Sequence, residues 1–154
     1  IEVADRRATA MYPVVEYSPE EIDGILEAAK AAKRQEIAAA RWAEMSSPTT
    51  IEGYTSLWYA DKESVNDMLR EAENLRRAIN LGYYTNETVI KWKTADGTFT
   101  NVTLSDLETI QLLLSQKRQE LYEKEANLVE LINIAETPEQ IASYVWNEEE
   151  TIIE

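Results

Sequence analysis

Residues 89–102 constrain the fold of this chain more than any other stretch, because two β-prone runs flank a tight turn and helical patterns lie on both sides. Val89, Ile90 and Trp92 lead into Ala95-Asp96-Gly97, and Phe99, Thr100 and Val102 lead out. Glycine readily adopts the positive φ that closes such a turn, so the segment reads as a hairpin. Its register follows from the side chains. A two-residue turn sets Trp92 opposite Asn101, whereas an Ala95-Asp96-Gly97 loop with Gly97 left-handed pairs Ile90 with Val102 on the face of Trp92. The second arrangement is expected, with Phe99 on the other face beside the stems of Lys91 and Lys93. Asp96 and Gly97 at the turn and Trp92 beside it are thus hairpin-forming residues, and the segment marks a module built for shape.

The helical patterns carry explicit start signals. Ser18-Pro19-Glu20-Glu21 combines a capping serine, a proline in the first turn and a glutamate three residues after the cap; this closes a capping box. The helix it opens runs to about Met45 and is crowded with alanine: Ala28, Ala29, Ala31, Ala32, Ala38, Ala39, Ala40 and Ala43. Alanine gives high helix propensity but little buried area, so such a helix either approaches a neighbour closely or projects into solvent. Its broken a/d pattern does not specify a coiled coil. Ser46-Ser47-Pro48 ends it, and Thr49 to Tyr59 reads as a short hairpin turning at Glu52-Gly53.

Asp61 caps a second helix whose Val65, Met68, Leu69, Ala72, Leu75, Ile79 and Leu81 recur at three- and four-residue spacing until Gly82. Thr103 or Ser105 caps the longest helix, with Leu107, Ile110, Leu114, Leu121, Leu128 and Leu131 facing inward. Thr137-Pro138-Glu139-Gln140 repeats the capping box before Ile141, Tyr144, Val145 and Trp146. The expected fold is α+β and mainly helical, with three or four helices packed with two short β hairpins. Helices are expected at about 18–45, 62–81, 104–132 and 138–146. Tyr12-Pro13-Val14-Val15 favours extended backbone, so residues 1–17 read as an extended N-terminal arm, 18–146 as one domain and 147–154 as an acidic tail.

Composition narrows the chemistry. The chain has no cysteine and no histidine, which removes disulfides, thiol nucleophiles, histidine-dependent triads and histidine-ligated metals. A formal charge of −14 repels nucleic acid at long range. No apolar run approaches the roughly 18 residues of a membrane span, and Ile1 to Val15 has no signal-peptide pattern. Asp61 with Glu63 and Asp106 with Glu108 sit in first helical turns, where carboxylates favour the helix dipole, and Glu148-Glu149-Glu150 is a terminal charge run. None makes an acid/base pair, no loop has calcium-ligand spacing, and the glycines are too scattered to cradle phosphate. No enzyme activity, cofactor or metal is expected.

Interaction surfaces are the remaining candidates. Tyr12 and Val14 on the arm, and Ile22, Ile25, Ala29 and Ala32 on the first helix, form one proposed partner interface. Tyr54, Trp58 and Tyr59 form another, on a hairpin too short to be stable alone and therefore docked on its own helices or on a partner. Exposed, the same rings suit glycan stacking; three of the four tryptophans are expected in the core.

The hairpin also carries a resemblance, together with Ala32 to Arg41, Ile51-Glu-Gly-Tyr54, Ala60-Asp-Lys-Glu-Ser64 and Ala135 to Ile141. Across roughly residues 32–146 the chain resembles a bacteriophage-encoded domain of unknown function found in or beside tail-fibre and tail-fibre-assembly proteins. That resemblance implies a tail-fibre or other tail protein as partner, and a place in the virion tail or in the host cytoplasm during assembly. Because fibres in that setting are commonly trimeric, it also implies three copies. It implies no chemical activity. The function expected on these grounds is a tail-associated structural adaptor or assembly factor, with a receptor- or glycan-recognition module as the alternative.

Overall fold

A computed structural model describes residues 16–148. Four helices and two antiparallel hairpins follow in the order α1 (Pro19–Met45), β1 (Thr49–Ile51), β2 (Tyr54–Trp58), α2 (Lys62–Asn80), β3 (Ile90–Lys93), β4 (Phe99–Val102), α3 (Leu104–Ile134) and α4 (Pro138–Ser143). This is the expected mainly helical α+β fold. Residues 1–15 of the arm and most of the acidic tail lie outside the described residues.

The helix starts obey the local chemistry read from sequence. Ser18, Thr103 and Thr137 each close a capping box, with Glu21, Asp106 and Gln140 reaching back to the cap nitrogen. Asp61 caps α2 by accepting from Ser64 N at 3.0 Å. Such caps satisfy amide groups that the first helical turn leaves without partners, each contributing about 1 kcal/mol.

α3 is the spine. Its 31 residues span about 46 Å at 1.5 Å per residue. Its N-terminal half buries Leu107, Ile110 and Leu114 against Val65, Met68, Ala72 and Leu75 of α2, with Ile51, Trp58 and Val102 closing this core from the hairpins. Its C-terminal half buries Leu121 and Ile132 with Ile37 and Met45 of α1, and Trp146 covers that second core. Between Leu114 and Leu121 no residue of α3 is buried.

Several expected core positions differ. Leu131 is 42% exposed while Ile132 is fully buried. A helix followed in steps of seven lags by about 20° per heptad, so after Leu107, Leu114, Leu121 and Leu128 the next inward step is four residues, not three. Leu69 and Leu81 face solvent at the margins of α2's stripe. α4 ends at Ser143, because Tyr144 turns to an extended backbone with ψ 110°, so Tyr144, Val145 and Trp146 follow the helix instead of extending it. Phe99 is 65% exposed; the stems of Lys91 and Lys93 leave it largely open.

Candidate functional site

The second hairpin has the expected register, Ile90 opposite Val102 and Trp92 opposite Thr100. Thr94 N donates to Thr98 O at 2.8 Å across the Ala95-Asp96-Gly97 loop, and Gly97 has φ +82°. Asp96 organises the turn. Its Oδ1 accepts from the Thr94 hydroxyl at 2.5 Å, the Thr98 hydroxyl at 2.8 Å and Thr98 N at 3.1 Å. These bonds, Thr94's first, hold its carboxyl below the usual aspartate range.

The two hairpins remain separate sheets, joined at Ala95. Ala95 N donates to Leu57 O at 2.9 Å, and the Tyr59 hydroxyl donates to Ala95 O at 3.2 Å. Tyr54 packs edge-on to Trp58 with ring centroids 6.3 Å apart, and its hydroxyl donates to Asp106 Oδ1 at 3.3 Å. Burial first, and then the Asp106 carboxylate, raise the Tyr54 pKa. The first hairpin is therefore docked on its own helices. Trp58, named above as a candidate interface residue, is only 2% exposed, while Tyr54 and Tyr59 are half-buried. A three-residue and a five-residue strand have too little area of their own, so their aromatic face is covered by the α2–α3 core. Trp58, Trp92 and Trp146 all belong to packed cores, and Trp42 does not.

The acidic pairs have structural roles. Asp61 caps α2, the Asp106 carboxylate accepts from Thr103 N at 2.9 Å in the capping box of α3, and Glu108 pairs with Arg76 across the α2–α3 seam. Among the described residues no three acidic side chains gather as metal ligands, and no helix is long and apolar enough to cross a membrane.

The candidate residues of α1 lie on an open surface. Lys30 Nζ donates to Asn133 O at 2.9 Å and Arg34 to Asn133 Oδ1 at 2.8 Å, which sets residues 30–34 level with the end of α3. Arg41 pairs with Glu125 farther along, so the two helices run antiparallel. α1 consequently starts beyond the end of α3. Every residue from Pro19 to Ile25 is exposed, including Ile22 at 53% and Ile25 at 45%. Ala29 is half-buried and Ala32 exposed, whereas Tyr12 and Val14 lie outside the described residues.

The sequence reading missed an exposed aromatic site on α1 and α3. Trp42, 57% exposed, and Tyr122, 44% exposed, line an open groove of about 480 Å³ with Met45, Asp61, Glu63, Asp67 and Arg70. Arg41 lies 4.8 Å over the Tyr122 ring. A signal existed: Trp42 is five residues from the buried Ile37, about 140° round the helix, and so off the packed stripe.

No curated protein and no solved structure matches the chain. The model of one family, described as a domain of unknown function (DUF4376), matches residues 28–145. The matched region takes in both hairpins, α2, α3, α4 and all of α1 after Glu27, leaving the clear first turns of α1 outside it. A match over about three quarters of the chain places it in a family: the chain belongs to the DUF4376 domains of unknown function.

Proposed function

We propose that the chain is a non-enzymatic component of a bacteriophage tail, a structural adaptor or assembly factor that binds the tail fibre or another tail protein by surface complementarity. The observation that carries the binding role is the start of α1. Two helical turns stand clear of the fold with Ile22 and Ile25 exposed, on a scaffold where Asp61 and Asp106 serve helix caps and Glu108 an ion pair. Exposed isoleucines on an otherwise unsupported helix suit association with a partner. The phage setting is supported by the resemblance carried by Ala32 to Arg41, the second hairpin and Ala135 to Ile141. The alternative, glycan recognition through Tyr54, Trp58 and Tyr59, has less support, because Trp58 is buried and the two tyrosine hydroxyls are bonded within the fold.

Quantitative mass spectrometry of purified particles from the encoding phage tests this reading, counting the chain against the major tail protein. A fixed copy number identifies a built-in component. Recovery with the fibre from infected lysate, without presence in particles, identifies an assembly factor. Absence from both refutes the proposal.

A further inference from the structure

We infer that Asp23-Gly24 is a site of spontaneous covalent modification, where the main chain isomerises to isoaspartate, and that the fold withholds the same reaction from Asp96-Gly97. The chain holds two Asp-Gly pairs, at 23–24 and 96–97. Such pairs are the reactive ones for this chemistry because glycine, without a Cβ, leaves its amide nitrogen open to approach and its backbone free to turn. The glycine nitrogen attacks Cγ of the protonated aspartic acid. A C–N bond forms, the carboxyl OH leaves with the amide proton as water, and a cyclic succinimide results. Water then reopens the ring at either carbonyl, returning aspartate or leaving isoaspartate, whose main chain runs through Cβ and Cγ. No other reactant is consumed, and the mass of the product equals that of the parent.

The rate depends on a carboxyl that is protonated and free to swing, and on a backbone that opens far enough for the nitrogen to reach Cγ. Asp96 meets neither condition. The hydroxyls of Thr94 and Thr98 and the Thr98 N–H all donate to its Oδ1, which keeps the carboxyl ionised to lower pH than an ordinary aspartate. Gly97 N, the would-be nucleophile, donates to Thr94 O at 3.0 Å. Ala95 ties the loop to the first hairpin through Leu57 O and the Tyr59 hydroxyl. Reaction at 96 therefore requires these bonds to break together.

Asp23 is placed differently. It lies near the start of α1, beyond the end of α3, where every residue from Pro19 to Ile25 is exposed. Gly24 is the one glycine of α1 and weakens the helix relative to alanine. Helical bonds engage Gly24 N while they last, but a helix end without tertiary packing opens at small cost, whereas the loop opens only with its hairpin. The product alters the surface as well. An added main-chain carbon at 23 breaks the three-residue spacing of Ile22 and Ile25, and this follows from covalent geometry whether or not α1 binds a tail protein.

Incubating the full chain in mildly acidic buffer, beside the same chain unfolded in urea, reads both sites in one experiment. Trypsin releases residues 8–30 and 94–117, each with a single Asp-Gly pair, and electron-transfer fragmentation distinguishes isoaspartate from aspartate in each peptide. The urea rates give the intrinsic reactivities, so the ratio of unfolded to folded rate is the protection of each pair. Protection at Asp96 should exceed that at Asp23 by at least ~10-fold. Gly24→Ala, whose Cβ meets nothing within 4 Å, should keep the fold and cut isoaspartate at 23 by at least ~10-fold. Thr94→Val, which removes one donor to the Asp96 carboxylate, should raise conversion at 96 and leave 23 unchanged. Equal protection of the two pairs, faster conversion at 96 than at 23 in the folded chain, or unaltered conversion at 23 in Gly24→Ala would overturn the inference. None of those results touches the particle count, which tests the tail reading separately.

Discussion

Trp58 offers the sharpest test of how the first hairpin is used, because a partner-facing ring and a core ring respond oppositely to truncation. At 2% exposure essentially its whole side chain is removed from water. A buried aromatic covers about 150–250 Å², worth about 4–6 kcal/mol at ~25 cal/mol per Å², and the alanine that replaces it retains part of that. Trp58→Ala should therefore cost about 3–5 kcal/mol, the usual range for large-to-small aromatic changes in a core, and lower the melting temperature by about 10–15 °C at this chain length. Trp58→Phe adds a second, independent number. The indole N–H of Trp58 has no acceptor among the described residues, so the phenyl ring removes an unpaired buried donor along with some area. Relief of about 1–3 kcal/mol from that donor offsets most of the lost area, and Trp58→Phe should cost under ~1.5 kcal/mol. Trp42→Ala, at a ring 57% exposed, is the surface control and should cost less than ~1 kcal/mol. Urea unfolding followed by circular dichroism, with m unchanged between variants, gives all three values. A cost below ~1 kcal/mol for Trp58→Ala would refute the docked hairpin and return that ring to the partner surface.

Gly97→Ala should destabilise by about 1–2 kcal/mol through its positive φ alone, since a Cβ there meets nothing within 4 Å; a neutral outcome in urea unfolding would show that the turn relaxes. Because the folded carboxyl of Asp96 titrates below its unfolded value, its contribution is present above the ordinary aspartate pKa and is lost as pH falls through the lowered folded one. The stability difference between the parent chain and Asp96→Asn should accordingly shrink across that acid window. Tyr54 has the opposite sign. Its raised folded pKa means stability complete below the ordinary tyrosine pKa and lost as pH rises through the folded value, visible as late phenolate absorbance that Asp106→Asn brings earlier. Glu44→Ala removes the acceptor of the Trp146 indole N–H, bonded at 2.7 Å, and should cost about 1–3 kcal/mol, whereas Glu44→Gln, which keeps an acceptor, should cost less.

Local chemistry was the legible part of the fold. Caps at Ser18, Asp61, Thr103 and Thr137 depend on neighbours within four residues, and so does the loop at Ala95-Asp96-Gly97, where the pairing of Ile90 with Val102 follows from side-chain alternation alone. What depends on partners was not. α3 hands its apolar stripe from α2 to α1 halfway along, and only the packed structure tells which side of Leu128 the second partner occupies. Trp58 and Trp42 look alike in sequence, each an aromatic near the end of a short element or helix. One is roofed by the α2–α3 core and the other lies off α1's packed stripe, a difference of tertiary placement. For the candidate site, Ile22 and Ile25 were legible as residues without enough apolar company on their own helix. That they stand beyond the end of α3 follows only from the contacts of Lys30 and Arg34 with Asn133.

The unburied stretch of α3 between Leu114 and Leu121 divides the mechanics of the molecule. Force applied at the start of α1 enters through Ile37, Met45 and Ile132 and reaches the hairpins along the polar stretch of α3 and through the short Ser46-Ser47-Pro48 link from α1 to β1. Under tension the α1–α4 end should yield first and by itself, leaving the hairpin end folded and able to recapture its neighbour when the load drops. An optical-trap trace would record this as two rips, with the smaller one reversible.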